Sequence, residues 1–223
     1  MEAVVLAAGN STRMGPGNEK QLARLGGKPM VVFALERLLE NPSVEHVYLT
    51  CRADRVDTMR EVLASYELTD QVTPIVGGAS RQESVLAGLR HVTTDRVLIH
   101  EAARPVISRA LIERVVNAEG AAVVPTIEIP FTVAAGNRTM TAEIERSTLR
   151  NVQLPQAFDT QVLVEAHEHA LETGATSTED SQLVFRRGHE VIFVDGLTEN
   201  IKVTYPEDLA TAEAWIYQLD DPS

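Results

Sequence analysis

The sequence predicts an α/β fold: a mostly parallel sheet with helices on both faces and a protruding β-hairpin arm. Three observations predict it. Short apolar runs alternate with segments of helical periodicity, glycine turns follow some of those runs, and one stretch, residues 130–147, breaks the rhythm. Strand–helix alternation is what parallel strands joined by crossover helices require. In such sheets ligands sit beyond the carboxyl ends of the strands.

The elements follow in order. Residues 2–8 form an apolar run ending at Gly9, which suits a buried parallel strand running into a turn. Val31, Ala34, Leu35, Leu38 and Leu39 fall at helical spacing, and Asn41-Pro42 stops that helix. Residues 44–51 read as a strand. Val56, Met59, Val62, Leu63 and Tyr66 mark an amphipathic helix, and residues 72–76 a strand that meets Gly77-Gly78. Ser80 and Glu83 form a capping box for a helix with Val85, Leu86 and Leu89 inward. A strand at 96–100, a helix from Ser108 burying Leu111, Ile112, Val115 and Val116, and a strand at 121–127 come next. Residues 130–147 are Thr-rich with a Gly136-Asn137 turn and few large apolar side chains, a hairpin that cannot bury itself alone. It is expected to pack on a second subunit. Helix returns at 159–171, strand at 191–194, and a last helix at 206–219, where Pro206, Glu207 and Asp208 suit its first turn and Trp215 and Tyr217 are expected to pack it. The whole chain, 1–223, reads as one domain with the arm as its appendage.

Bulk properties narrow the function. A formal net charge of -12 over 223 residues argues against nucleic acid, whose backbone is bound by clustered Lys and Arg. A nucleotide needs only a few cations in a cleft. The lone cysteine, Cys51, lies in a strand-like run and reads as a small buried hydrophobe. The N-terminus lacks a basic segment followed by a long apolar one, and no apolar run reaches the roughly 18 residues of a membrane span, so a cytoplasmic protein without membrane contact is expected. The six histidines have no metal-ligand spacing and read as surface residues. Glu179-Asp180, an acidic pair before a helix, reads equally well as part of a site and as a helix cap.

Chemistry-bearing residues gather at the predicted strand ends. After the first strand comes Ala7-Ala8-Gly9-Asn10-Ser11-Thr12-Arg13, with Lys20 seven residues beyond Arg13. A turn of small residues leaves backbone N–H groups free to face an anion, and both cations could fold over a triphosphate. Neither a Walker A loop nor a dinucleotide fingerprint is present. Three further segments complete the set: Gly77-Gly78-Ala79-Ser80-Arg81-Gln82-Glu83-Ser84, His100-Glu101-Ala102-Ala103-Arg104-Pro105, and Glu199-Asn200-Ile201-Lys202-Val203-Thr204.

Together these segments resemble the methylerythritol phosphate cytidylyltransferase family and its relatives that make CDP-ribitol. The resemblance spans about residues 4–215. It implies a Rossmann-like α/β fold and a homodimer whose arm reaches across to the second copy. It implies CTP and a small phosphorylated acceptor as ligands, with Mg2+ as the cofactor. Ala7, Ala8, Gly9, Asn10, Gly78, Ser84 and Ala102 are expected at the nucleotide, and Arg13, Lys20 and Lys202 as the catalytic cations. Arg104, Thr132 and Arg146 are expected at the acceptor, and Glu101 at the metal. A phosphate monoester attacking the α-phosphorus of CTP is already anionic, so the work is positioning and charge neutralisation.

The pattern departs from the family at four places. Glu101 replaces an aspartate and reaches roughly 1.5 Å further, one carbon–carbon bond. Ala79 replaces an acidic residue, Phe131 stands before Thr132 where an aspartate is usual, and Leu154 precedes Pro155-Gln156 where a threonine is usual. The activity the resemblance implies is that of 2-C-methyl-D-erythritol 4-phosphate cytidylyltransferase, with ribitol 5-phosphate, another polyol phosphate or a phosphonate as the alternative acceptor; Phe131, Leu154 and Glu101 favour an acceptor other than methylerythritol phosphate. A catalytically silent nucleotide-binding protein and a sugar-1-phosphate nucleotidyltransferase are the alternatives; turnover of CTP and nucleotide preference separate them.

Overall fold

The structure is a computed structural model, and it describes residues 1–9 and 20–220. In chain order the elements are β1 (Glu2–Leu6), β2 (Arg24–Leu25), β3 (Lys28–Pro29), α1 (Met30–Leu39), β4 (His46–Cys51), α2 (Val56–Ser65), β5 (Val72–Val76), α3 (Arg81–Leu89), β6 (Arg96–Glu101) and α4 (Arg109–Asn117). They continue with β7 (Ala122–Glu128), β8 (Ala134–Gly136), β9 (Met140–Glu143), β10 (Arg150–Val152), β11 (Gln156–Asp159), α5 (Thr160–Thr173), α6 (Asp180–Arg186), β12 (Ile192–Asp195) and α7 (Asp208–Asp220).

The central sheet runs β7-β11-β6-β1-β4-β5, with β12 parallel to β7 and β10 lying on the β11 edge of β7. Strands β6, β1, β4 and β5 are mutually parallel, β11 runs antiparallel to both β6 and β7, and β10 runs antiparallel to β7. The chain adds β4 and β5 on one side of β1 and then returns to place β6 on the other. That reversal opens a crevice at the carboxyl ends of β1 and β6.

Strands buried on both faces must be apolar on both, and β1 divides accordingly. Ala3 and Val5 pack with α1, α2 and α4 through Leu35, Leu63 and Ile112. Val4 packs on the opposite face with α3, α5 and α6 through Val85, Leu163 and Val184. A smaller cluster seats α7 on Leu25, Met30 and Val203. Helix α4 starts as its sequence dictates: the Ser108 hydroxyl accepts from the Leu111 N–H at 3.1 Å, and the four apolar residues expected inside are buried.

Several elements differ from expectation. Strands β10 and β11 replace what the sequence leaves without structure. Their short polar-containing segments are strands because β7 and β6 pair with them, a non-local cause. The Ser80 hydroxyl accepts from Glu83 N–H at 3.1 Å as a capping box requires, but Glu83 returns its carboxylate to the Ala79 N–H at 2.7 Å. Glu179 precedes α6 without a side-chain cap. The histidines are not uniformly at the surface, since His100 and His167 are buried. Tyr217 is exposed, while Trp215 packs against the α7 cluster. Cys51 is buried as expected. Among the described residues, no helix is long and apolar enough to cross a membrane.

The arm forms as predicted: β8 and β9 pair antiparallel as a separate two-stranded sheet. It contributes nothing to the three clusters, and Phe131 and Met140 on it are 75% and 66% exposed.

Candidate active site

A cleft of about 310 Å³ opens at the crevice between β1 and β6. Its walls come from four places: Ala8 and Gly9 after β1, the turn from Gly78 to Ser84 after β5, Glu101 and Ala103 at the end of β6, and Lys202 and Thr204 before α7, with Lys20 closing one side.

The turn after β5 is tight because Gly78 has no side chain. A Cβ there would collide with the Cβ of Glu83. Its N–H donates instead to the Ser84 hydroxyl at 3.1 Å, and Ser84 donates to the Ser80 carbonyl at 2.8 Å. The backbone therefore wraps close to the N-terminus of α3, where partial positive charge accumulates.

Among the described residues, three cations, Lys20, Arg81 and Lys202, line the cleft with one carboxylate, Glu101. Lys202 Nζ lies 2.6 Å from Glu101 Oε2, and Arg81 Nε donates to Glu101 Oε1 at 3.4 Å. Burial would push the Glu101 carboxyl up; Lys202, then Arg81 and Arg104, more than offset this and hold it below the ordinary carboxylate value. Glu101 is therefore ionised at neutral pH.

Arg81 is anchored from behind. Its Nη1 and Nη2 donate to the two carboxylate oxygens of Asp180 at 3.0 and 2.6 Å, and His167 Nε2 lies 3.0 Å from Asp180 Oδ1. Burial would raise the Asp180 carboxyl, but Arg81 and the His167 hydrogen bond hold it down to about 2. Asp180 is thus a buried anchor rather than a helix cap. Sequence reading gives Arg81 no role and marks Asp180 only as an acidic residue before a helix, with no partner. Arginine opening a capped helix after a double glycine was the available signal for the first; nothing in the sequence links it to a partner 99 residues away.

The expected site residues divide as follows. Ala8, Gly9, Lys20, Gly78, Ser84, Glu101 and Lys202 converge on the cleft. Ala7 and Ala102 are buried beneath it, where their N–H groups extend the sheet by donating to the Thr50 and Leu6 carbonyls at 2.8 and 3.1 Å. Arg104 does not line the cleft but donates to the Asn200 carbonyl at 2.8 Å. His100, whose imidazole burial holds at about 4, is neutral at pH 7 and donates from Nε2 to the Arg104 carbonyl at 3.0 Å. Thr132 and Arg146 stand on the exposed arm, where Arg146 donates to the Pro130 carbonyl at 3.1 Å. Asn10 and Arg13 lie outside the described residues. Among the described residues, no group of three or more His, Cys, Asp or Glu side chains could hold a metal ion by itself.

Leu154 requires a correction. It is 1% exposed, packed in the core with Val97, Ile99 and Leu163, and so presents no surface to a ligand. The case it made for a re-fitted acceptor pocket fails.

A parallel sheet with a glycine turn, a helix N-terminus and three cations at its reversal point defines an α/β protein that binds a phosphorylated ligand. A family model described as 2-C-methyl-D-erythritol 4-phosphate cytidylyltransferase, IspD, matches residues 1–218. The chain belongs to that family. A protein of that name from Geobacillus kaustophilus is 36% identical over 217 residues, covering 96% of this chain and 95% of its own. Another from Clostridium novyi is 36% identical over 223 residues, covering 95% and 94%. Among solved structures, 4-diphosphocytidyl-2C-methyl-D-erythritol synthase from Anaerococcus prevotii matches with a TM-score of 0.84 at 26% identity, covering 97% of this chain and 95% of that one. The 2-C-methyl-D-erythritol 4-phosphate cytidylyltransferase from Thermus thermophilus matches with 0.80 at 28% identity, covering 96% and 98%.

Proposed function

We propose that this chain transfers CMP from CTP to 2-C-methyl-D-erythritol 4-phosphate and releases pyrophosphate. The observation that carries the reading is the convergence of Lys20, Arg81, Lys202 and Glu101 on one cleft at the strand ends, in a chain of this family. A phosphate monoester is largely dianionic at neutral pH, its second pKa being about 6. Its oxygen needs no general base. The new bond joins that oxygen to the α-phosphorus, and the bond that breaks frees pyrophosphate.

The residues act by charge and placement. Negative charge spreads over the α-phosphate and the leaving group, and Lys202 and Lys20 are the side chains that neutralise it, with Arg13 completing the set. Lys202 exchanges Glu101 for a phosphate oxygen as the nucleotide enters. The turn from Gly78 to Ser84 brings backbone close to the nucleotide.

Mg2+ fits this arrangement through Glu101, an ionised carboxylate facing the cleft, with the triphosphate and water supplying its other oxygens. The ion would add positive charge against the triphosphate. Arg81 holds Glu101 from the side opposite Lys202.

The arm belongs to a homodimer in the same reading. Its exposed Phe131 and Met140 need a cover, and a second copy of the chain provides one, bringing Thr132 and Arg146 to the acceptor side of the partner's cleft. Mixing an Arg146→Ala chain with a Lys202→Ala chain should then restore part of the activity each lacks. A cytoplasmic setting, where phosphorylated metabolites are kept, completes the proposal.

The test is pyrophosphate release with CTP compared with ATP, GTP and UTP, in the wild type and in Lys20→Ala and Lys202→Ala. We expect CTP to be preferred and each substitution to lower turnover by about 10²-fold or more, the usual cost of losing one such donor. Near-normal turnover in Lys202→Ala would remove it from the mechanism.

A further inference from the structure

Lys202 lies in a segment, residues 196–207, that forms neither helix nor strand. Backbone outside a ladder must find its hydrogen bonds elsewhere, and a lysine carried on it is only as well aimed as those bonds allow. Here the buried side chain of Gln153 supplies three of them, and the buried side chain of Asn200 ties the segment back to the sheet break.

Gln153, 3% exposed, sits between β10 and β11 and meets Leu197 as a neighbouring strand would. Its Nε2 donates to the Leu197 carbonyl at 2.6 Å, and its Oε1 accepts from the Leu197 N–H at 2.9 Å. The same Nε2 reaches the Asn200 carbonyl at 3.4 Å. Asn200, 1% exposed, makes the return connection, donating from Nδ2 to the Leu154 carbonyl at 2.6 Å. Gly196 permits the approach, because a Cβ there would collide with Gln153 Oε1. Two residues past Asn200 comes Lys202, and the next N–H, that of Val203, donates to the Ala103 carbonyl at 2.8 Å. Lys202 is therefore fixed on both flanks, to the sheet break on one side and to the turn after β6 on the other.

A buried carboxamide is costly unless its bonds are made. A leucine or methionine would fill the same space. What the amide adds is a fixed path for the loop.

We propose that Gln153, with Asn200 as its counterpart on the loop, is a positioning residue that sets Lys202 against the reacting phosphate. Its contribution is to turnover and not to nucleotide affinity. The inference rests on the reading of Lys202 as the lysine acting in the transfer. A misplacement of about 1 Å near the reacting centre costs roughly 10²-fold, so a small shift of this loop is enough to register.

Gln153→Met tests it, since the replacement has similar size and no amide. We expect kcat to fall by about 10-fold or more while KM for CTP stays within about twofold, a split that general loosening of the fold would not give. Gly196→Ala displaces the amide without removing it and should show the same split, and it decides the matter if Gln153→Met does not fold. In a Lys202→Ala background, Gln153→Met should cost nothing further, because the residue acts through that lysine. An equal loss in both backgrounds overturns the proposal, as does an effect confined to KM or unchanged kcat in both variants. Normal kcat in Gln153→Met beside an impaired Lys202→Ala removes the positioning role alone. Normal turnover in Lys202→Ala removes both the role and the reading beneath it.

Discussion

The cleft and the arm are built in opposite ways. Around the cleft each functional side chain is held by a second group: Glu101 by Lys202 and Arg81, Arg81 by Asp180, Asp180 by His167, and Ser84 by the turn it closes. The arm has its own two-stranded pairing and almost nothing beneath it. The cleft is specified by the fold of one chain, whereas the arm takes little of its support from that fold. Chemistry that must be aimed to a fraction of an ångström is carried by the first kind of region. Partner recognition can be left to the second.

Removing Asp180 is the strongest way to break the cleft side of this comparison. Asp180→Ala leaves the Arg81 guanidinium without its main partner in the interior, and breaking a buried pair typically costs about 3–5 kcal/mol. Denaturant unfolding should register a loss of that order, and activity should fall because Arg81 no longer holds Glu101. The acid limb carries the same signature. The carboxyl of Asp180 titrates near 3.8 when unfolded and is held down to about 2 when folded. Its contribution to stability is therefore complete above about pH 4 and is lost as pH falls towards 2. In Asp180→Asn that component of the acid dependence should be missing. An unchanged acid profile would contradict the buried anchor.

The arm should show the smallest effect on the stability of the chain itself. Phe131→Ser with Met140→Ser removes two exposed side chains, and such surface changes usually lie within about 0.5 kcal/mol. Sedimentation should nevertheless move towards monomer if, as proposed, a second copy covers those side chains. A monomer–dimer balance identical to wild type would place the interface elsewhere.

How far the sequence carries follows the same division between local and non-local causes. Helices α1 and α4 were legible because their apolar spacing and their end signals lie within a dozen residues. The strand ends were legible because glycine turns and cations mark them. Strands β10 and β11 were not, since segments such as Arg150–Val152 and Gln156–Asp159 become strands only by pairing with β7 and β6. Leu154 misled for a related reason: its motif position pointed to the acceptor, yet its side chain is core. The buried amides Gln153 and Asn200 carry no sequence signal at all, because their meaning lies in carbonyls 44 to 47 residues away.

If this cleft moves CMP onto a phosphate monoester, product and pyrophosphate must appear together. Parallel quantification of pyrophosphate and the cytidylylated product, with CTP and Mg2+ present and 2-C-methyl-D-erythritol 4-phosphate supplied or withheld, tests it most directly. Both products should form in equimolar amounts only when the acceptor is supplied, with kcat/KM for it above about 10⁴ M⁻¹s⁻¹, the low end for efficient enzymes. Pyrophosphate released equally without acceptor, or no product with it, would contradict the account.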